Sequence, residues 1–328
     1  MKRISFICLF ACICLSSCVT RSNSVLQMSQ GNAGELLVIM KDYLWNDACG
    51  DSVRQYFTEP VWGLPASEPM FTLFQRDELS SFFQKYRNIL IINVDPVYEY
   101  ANLRVKNDLY AANQVVFNLD APSADSVISC VYMNKDIISA YFLIKDRDAI
   151  IEDYKRSVSK PIVEKLNEKF MVDIIIPKSY KLYDEKDDFV WIAREEGEKN
   201  WHILIWEEPY LRTSQLDTDS LIFKMNAMTR RYVPGDRVGS YMADEPSIPP
   251  AVKRFEKKGI YSVQLNGLWK MENGFMGGPY VNQTIVDTQR QRLVTGVGFV
   301  FYFNRDKRQM VRQLESILYT MTPVIVND

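Results

Sequence analysis

Histidine occurs once in 328 residues, at His202. A Ser-His-Asp triad, a Cys-His pair or a histidine-built zinc site must be assembled around that one ring or is absent. On a strand His202 shares a face with Leu204 and Trp206, the setting of a structural histidine. Surplus positive charge is missing as well. With 39 Lys+Arg against 41 Asp+Glu the chain carries −2, too little to collect a nucleic acid backbone, so nucleic acid is not an expected partner. Cysteine is scarce, and four of the six lie within the first eighteen residues, which excludes a disulfide-dense scaffold. Past the N-terminus no apolar run approaches the roughly 20 residues of a membrane span. A Walker A loop, a G-x-S-x-G elbow, H-E-x-x-H and an EF-hand loop are all lacking. No catalytic residue, metal ligand or cofactor is therefore assigned.

What is present begins at the N-terminus. Met1-Lys2-Arg3 is basic and Ile4 to Cys14 is an apolar run too short to cross a bilayer, the pattern of a signal peptide over 1–17. Leu15-Ser16-Ser17-Cys18 resembles the lipobox of bacterial lipoproteins, an aliphatic residue and two small ones before the cysteine that takes a diacylglycerol. That resemblance implies cleavage before Cys18 and a membrane partner reached through its lipid. Two or three acyl chains anchor stably where one would be marginal. Residues 18–34 are rich in Ser, Asn, Gln and Gly and are expected to form a flexible tether reaching on the order of 20 Å. No acidic residue follows Cys18 closely, and the default address is the periplasmic face of the outer membrane.

The folded part, 47% apolar over the whole sequence, divides in two. Glu35–Met40, Arg87–Pro96 and Gln114–Leu119 read as buried strands and a helix follows Asp51, so 35–170 is an α/β domain. Ser123 to Phe170 reads as two to four packed helices. Residues 171–328 change pattern. Strands are expected at Val172–Pro177, Phe189–Arg194, His202–Trp206, Gly259–Trp269, Tyr280–Asp287 and Arg292–Phe303. Helices are expected at Asp219–Arg231 and after Asp306, which can cap the last one. This is an α+β part with an antiparallel sheet, and its order resembles the PsbP-like α/β/α sandwich, a fold that transfers no function.

Pro60-Val61-Trp62-Gly63-Leu64-Pro65, Glu68-Pro69-Met70-Phe71, Gly277-Gly278-Pro279-Tyr280-Val281 and Arg312 to Tyr319, taken with the lipobox, resemble an uncharacterised lipoprotein family of Bacteroidota, a domain of unknown function. The resemblance implies lipidation of Cys18 and leaves activity open.

Three features offer sites. Gly274, Gly277 and Gly278 surround Phe275 and Met276 between Trp269 and Tyr280. They describe either a recognition loop, with a backbone forced through unusual angles and an apolar tip, or a plain hairpin. On the first reading Trp269 is buried and the tip is exposed. Arg230-Arg231 and Arg237 complement a helix C-terminus or receive an anion. Ser52, Ser126 and Ser220, each in an Asp-Ser-aliphatic triplet, resemble the O-glycosylation acceptors of Bacteroidota, or belong to helix starts. Asp217-Thr218-Asp219 fits a helix start better than a metal. Glu195-Glu196 and Glu207-Glu208 are strand neighbours facing opposite ways and so form no dyad. Cys49 and Cys130 are expected either as two buried free thiols or as one disulfide bridge. These readings converge on a tethered, non-enzymatic binding or scaffold module meeting an envelope protein, glycan or lipid. The alternatives are a polysaccharide hydrolase with dispersed carboxylates and a lipid carrier.

Overall fold

Alternating apolar strands and capped helices assemble into two sheet units, seen in a computed structural model that describes residues 26–325. Cys18 and the signal segment lie outside the described residues. The first unit runs β1 (Glu35–Ile39), α1 (Asp42–Trp45), α2 (Ala48–Phe57), β2 (Thr72–Arg76), β3 (Asn88–Val94), β4 (Asn102–Asn107), β5 (Val115–Ala121) and α3 (Ala124–Lys155). Its sheet has the order β2-β1-β3-β5-β4, parallel except for β4. Leu36, Val38, Leu90 and Phe117 face Val53 and Phe57 of α2 and Val131 and Phe142 of α3. Leu37, Ile39, Ile89 and Val116 point the other way, under Phe83, Tyr86 and Tyr110. Burial on both faces is why these strands read as unbroken apolar runs.

Two to four helices were expected between Ser123 and Phe170. The segment holds two, the low end of that range: a 32-residue rod, α3, and one short helix. By length and composition α3 suits a membrane crossing, which corrects the expectation that no internal stretch does. Yet Val127, Val131, Ile138, Phe142 and the Asp146 carboxylate are buried against the sheet, as befits the core helix of a folded unit.

The second unit runs α4 (Lys160–Phe170), β6 (Val172–Asp173), β7 (Lys181–Lys186), β8 (Phe189–Glu196), β9 (Lys199–Pro209), α5 (Thr218–Tyr232), β10 (Tyr241–Asp244), β11 (Ala251–Lys257), β12 (Ile260–Glu272), β13 (Gly277–Asp287), β14 (Arg292–Phe301), α6 (Arg308–Tyr319) and β15 (Thr322–Pro323). An antiparallel sheet in the order β10-β12-β13-β14-β9-β8-β7, with β11 also on β12, forms its middle layer. Period-two alternation sends Val190, Ile192, Ile203 and Val281 against α4 and α6. The intervening Trp191, Leu204, Trp206 and Phe299 meet Leu221 and Met225 of α5. The result is an α/β N-terminal part followed by an α+β part built as an α/β/α sandwich. Each fully buried Leu, Ile or Phe here contributes about 1.5–3 kcal/mol.

Two boundaries differ from those expected. Ile162, Leu166 and Phe170 of α4 pack into the second unit's core, so the break between units precedes Ser159 and does not follow residue 170. The flexible tether does not extend to Gly34 either. Ser29 N donates to Ala112 O at 2.9 Å, Gln30 N to Lys85 O at 2.7 Å, and Gly34 N to Asp146 Oδ2 at 2.6 Å. Backbone pairing, invisible in a polar composition, pins this segment to the first unit.

α6 joins the units. Leu314, Ile317 and Leu318 lie on the sheet, while Arg312 on its other side donates to Met70 O at 2.6 Å and stands 3.6 Å from the Asp146 carboxylate. Asp146 also accepts from Asn88 at 3.0 Å and Arg87 at 3.2 Å. Burial raises its pKa against the pull of these cations.

Candidate functional site

On the α5 face of the sandwich, side chains from β7 across to β10 line a cup of about 230 Å³. Its floor is Trp191, Trp269, Phe299 and Met242, all buried, and its rim carries Tyr183, Glu195, Asn200, Met276 and Phe301. Register explains the convergence, since Ala193 pairs with His202 and His202 with Phe299 across β8, β9 and β14. Aromatic side chains from neighbouring strands therefore stand side by side. Tyr183 and Trp191 lie 4.4 Å apart between ring centroids, and Trp269 meets Phe299 edge-on at 5.4 Å.

His202 lies inside this cup. Its ring stacks on Phe299 at 4.6 Å, and Nδ1 accepts the Trp191 indole N–H at 3.1 Å. An Nδ1 lone pair used in this way leaves the proton of the neutral ring on Nε2. Desolvation pushes the imidazole pKa down from 6.5 to about 4, so the ring is neutral at physiological pH and presents an Nε2–H donor. The cup thus combines flat apolar walls, one N–H donor, the Asn200 amide and the Glu195 carboxylate. His202 was read from sequence as structural; its place in the cup gives it a surface to offer as well.

The glycine-rich segment is the hairpin between β12 and β13. Trp269 is 3% exposed and donates its indole N–H to Val300 O at 3.2 Å, Met276 is half-buried at the cup, and Phe275 is 88% exposed with the Arg237 guanidinium 4.6 Å over its ring. The glycines do not supply unusual angles as expected. The one left-handed residue of this hairpin turn is Asn273, at φ +58°. Gly277 and Gly278 are needed for closeness: a Cβ on Gly278 would stand 2.3 Å from Val300 O, and one on Gly277 2.9 Å from Trp269 O. Tyr280 does not face the cup. It is buried and donates to Asp244 Oδ1 at 2.6 Å, with burial raising the Asp244 pKa.

The remaining candidates separate. Ser52 lies in the second turn of α2, donating to Ala48 O at 2.9 Å, and Ser126 shares a hydroxyl contact of 3.0 Å with Ser123. Ser220 is in the first turn of α5. None is itself a cap; those positions belong to Asp47, Ser123 and Asp217. Arg231 pairs with Asp188 at 3.1 Å and Arg230 lies over Tyr241 at 5.1 Å. Glu207 pairs with Arg292, Glu208 with Lys224 at 3.3 Å, and Glu196 with Arg194. Cys49 and Cys130 are free and buried, and no cluster of metal-ligating side chains occurs among the described residues.

Two family models match the chain. One, Domain of unknown function (DUF8532), covers residues 29–155, and the other, Domain of unknown function (DUF4837), covers 159–320. Each half matches an uncharacterised family. The gap between the two matches falls at the α3–α4 junction. No curated protein matches the chain. Among solved structures, the Ran-binding protein Mog1p of Saccharomyces cerevisiae is similar at TM-score 0.33 and 9% identity, over 47% of this chain and 90% of that one. LpqN of Mycobacterium tuberculosis, involved in cell envelope biogenesis, gives 0.29 and 12%, over 46% and 82%. The lipid transfer and protein localization domain of human StarD13 gives 0.22 and 11%, over 48% and 95%. Scores this low carry no argument about function.

Proposed function

We propose that the chain is an envelope lipoprotein, tethered through Cys18 at the periplasmic face of the outer membrane, that binds a sugar residue of an envelope glycan without cleaving it. The observation that carries the reading is the aromatic cup with a neutral His202 at its side. Apolar ring faces stack on aromatic walls, and hydroxyls take the Nε2–H, the Asn200 amide and the Glu195 carboxylate. The volume suits one ring. Glycoside cleavage needs two facing carboxylates, and among the cup's described lining residues Glu195 is the only acid.

Titrating the chain with hexoses, N-acetylhexosamines and envelope oligosaccharides while following tryptophan fluorescence tests it. A saturable change from Trp191, lost in Tyr183→Ala and in Asn200→Ala, is expected. A flat response to every saccharide removes the glycan reading. The address has its own test. Cys18→Ala is expected to move the protein out of the membrane fraction, and recovery of that variant in the outer membrane at normal size refutes the anchor. Ser52, Ser126 and Ser220 remain proposed glycan acceptors, and hexose-sized increments in the intact mass of native protein would identify them.

A further inference from the structure

The long helix α3 buries one side and leaves a second apolar stripe uncovered. Met133, Ile137, Ala140, Tyr141 and Ile144 recur three and four residues apart and are exposed. The C-terminal half of this stripe enters a groove of about 550 Å³ between the two units. Leu143, Ile144 and Ile150 of α3 form one wall, β11 the other, and α6 the floor. This groove opens on the α6 side of the antiparallel sheet, away from the aromatic cup, and owes nothing to the glycan reading.

Strand alternation decides which side chains of β11 enter it. Lys253, Phe255 and Lys257 stand opposite Gln264, Ser262 and Ile260. Gln264 reaches Glu315 of α6 at 3.1 Å, so this set shares the α6 face; Lys253 and Phe255 line the groove, and Lys257 follows them beside Tyr319, which lines it too. Phe255 accordingly stacks with Tyr319 at 5.9 Å, and two cations crowd the same ring. The Arg147 guanidinium is 3.6 Å and the Lys257 ammonium 4.5 Å from its centroid.

Three acids line the groove, Asp146, Glu256 and Glu315. Glu256 stands opposite Tyr261 and Arg254 opposite Val263, whose side chain packs in the α5-side core, so alternation turns Glu256 and Arg254 to that other face. The other two acids do not balance the cations. Asp146 is taken up by Gly34 N, Asn88, Arg87 and Arg312. Glu315 accepts the amides of Gln264 and Asn266, at 3.1 and 2.6 Å. Among the described residues Arg147 has only its neighbour Asp148 as an ion-pair partner, at 3.9 Å, and its Nε is buried without a hydrogen-bond partner among them. Lys257 donates to Tyr319 O and forms no ion pair among the described residues. Burial, with Arg147 and Lys258 nearby, pushes its pKa down to about 8. Like charges are held together beside a hydrocarbon-lined trough, an arrangement complementary to an anion that carries an apolar tail.

We infer that this groove binds a fatty acid, its acyl chain along the exposed stripe of α3 and its carboxylate between Arg147 and Lys257. The volume accommodates one chain, not the two of a phospholipid.

Calorimetric titration tests it, using the chain from residue 18 onward with Cys18→Ala, which keeps every described residue and carries no lipid of its own. Dodecanoate is the probe; dodecyltrimethylammonium, with the same chain and the opposite charge, and acetate, with the head alone, are the comparisons. Dodecanoate is expected to bind saturably and at least about tenfold more tightly than the cationic amphiphile. Acetate is expected not to bind. Arg147→Gln combined with Lys257→Gln should weaken dodecanoate by about tenfold or more while leaving the cationic probe no weaker. Ala140→Trp should weaken both amphiphiles by filling the trough, with circular dichroism showing the fold retained. Absence of dodecanoate binding, equal affinity for both amphiphiles, acetate binding as tight as dodecanoate, or indifference to the double substitution each overturns the inference.

Discussion

Glu68 and Lys307 are 239 positions apart, and the side-chain carboxylate of the first accepts the backbone N–H of the second at 2.7 Å. Its other oxygen accepts Arg308 N at 2.8 Å. The first amides of a helix have no partner within it, and the helix dipole favours negative charge there. A buried acid from the first unit therefore caps the helix that carries much of the second unit's core. Glu68→Ala is expected to destabilise the protein by about 3 kcal/mol, since two charge-assisted hydrogen bonds are lost and two amides are left bare. Glu68→Gln keeps one acceptor and should cost about half as much. Urea unfolding measures both. A midpoint for Glu68→Ala within error of the unsubstituted chain would show that the cap contributes nothing.

This junction was not legible in the sequence, where Asp306 looked like the cap. Local capping is a short-range pattern, whereas Glu68 arrives through tertiary folding. The strands that went unread share a cause too. β2, β4, β7, β10 and β11 all border a sheet, and segments such as Lys181–Lys186 and Ala251–Lys257 expose much of their length. Edge strands carry charged residues and lack the apolar run that marks a central strand. Conversely β1, β3, β5, β8 and β14 were recognisable because burial demands what composition records. Of the cup, Trp269 and Met276 were picked out through their glycines, while Tyr183, Trp191 and Phe299 were not. Only register brings those three together.

Protonation of His202 should be visible in stability. Its neutral form is favoured in the fold, with the pKa lowered from 6.5 to about 4 by desolvation. The contribution is full above pH 6.5 and is lost as pH falls through this window, because the unfolded chain binds the proton more readily. The loss amounts to about 3 kcal/mol by pH 4. His202→Phe keeps the stack on Phe299 and removes the titration, so its stability should fall less between pH 6.5 and 4. Thermal melts of both proteins across that range decide it, and parallel curves would exclude His202 as the cause.

The β12–β13 hairpin separates two kinds of substitution. Gly278→Ala places a methyl group where Val300 O already stands, 2.3 Å away. Backbone must move to admit it, at a cost of about 2–3 kcal/mol. Phe275→Ala, at an exposed tip, should change stability by less than about 0.5 kcal/mol. Chemical denaturation of the two variants checks the contrast. A tolerated Gly278→Ala would mean that β13 and β14 are not held as closely as the structure has them.

Cys49 on α2 and Cys130 on α3 are free thiols in the fold. Both thiols are buried, and burial pushes the Cys49 pKa up to about 11, with Asp47 and Asp125 adding to it. Burial also raises that of Cys130, against a contact from Asn134. A thiol reacts as its thiolate, so raised pKa values and exclusion of reagent act in the same direction. In the Cys18→Ala chain from residue 18 onward these are the only two cysteines. An aromatic disulfide reagent at pH 8 is expected to label neither in the folded protein and both in urea. Labelling of either thiol at the native rate of a free cysteine would show that α2 and α3 part readily. A protein that yields no thiol even when unfolded would show a bridge between them.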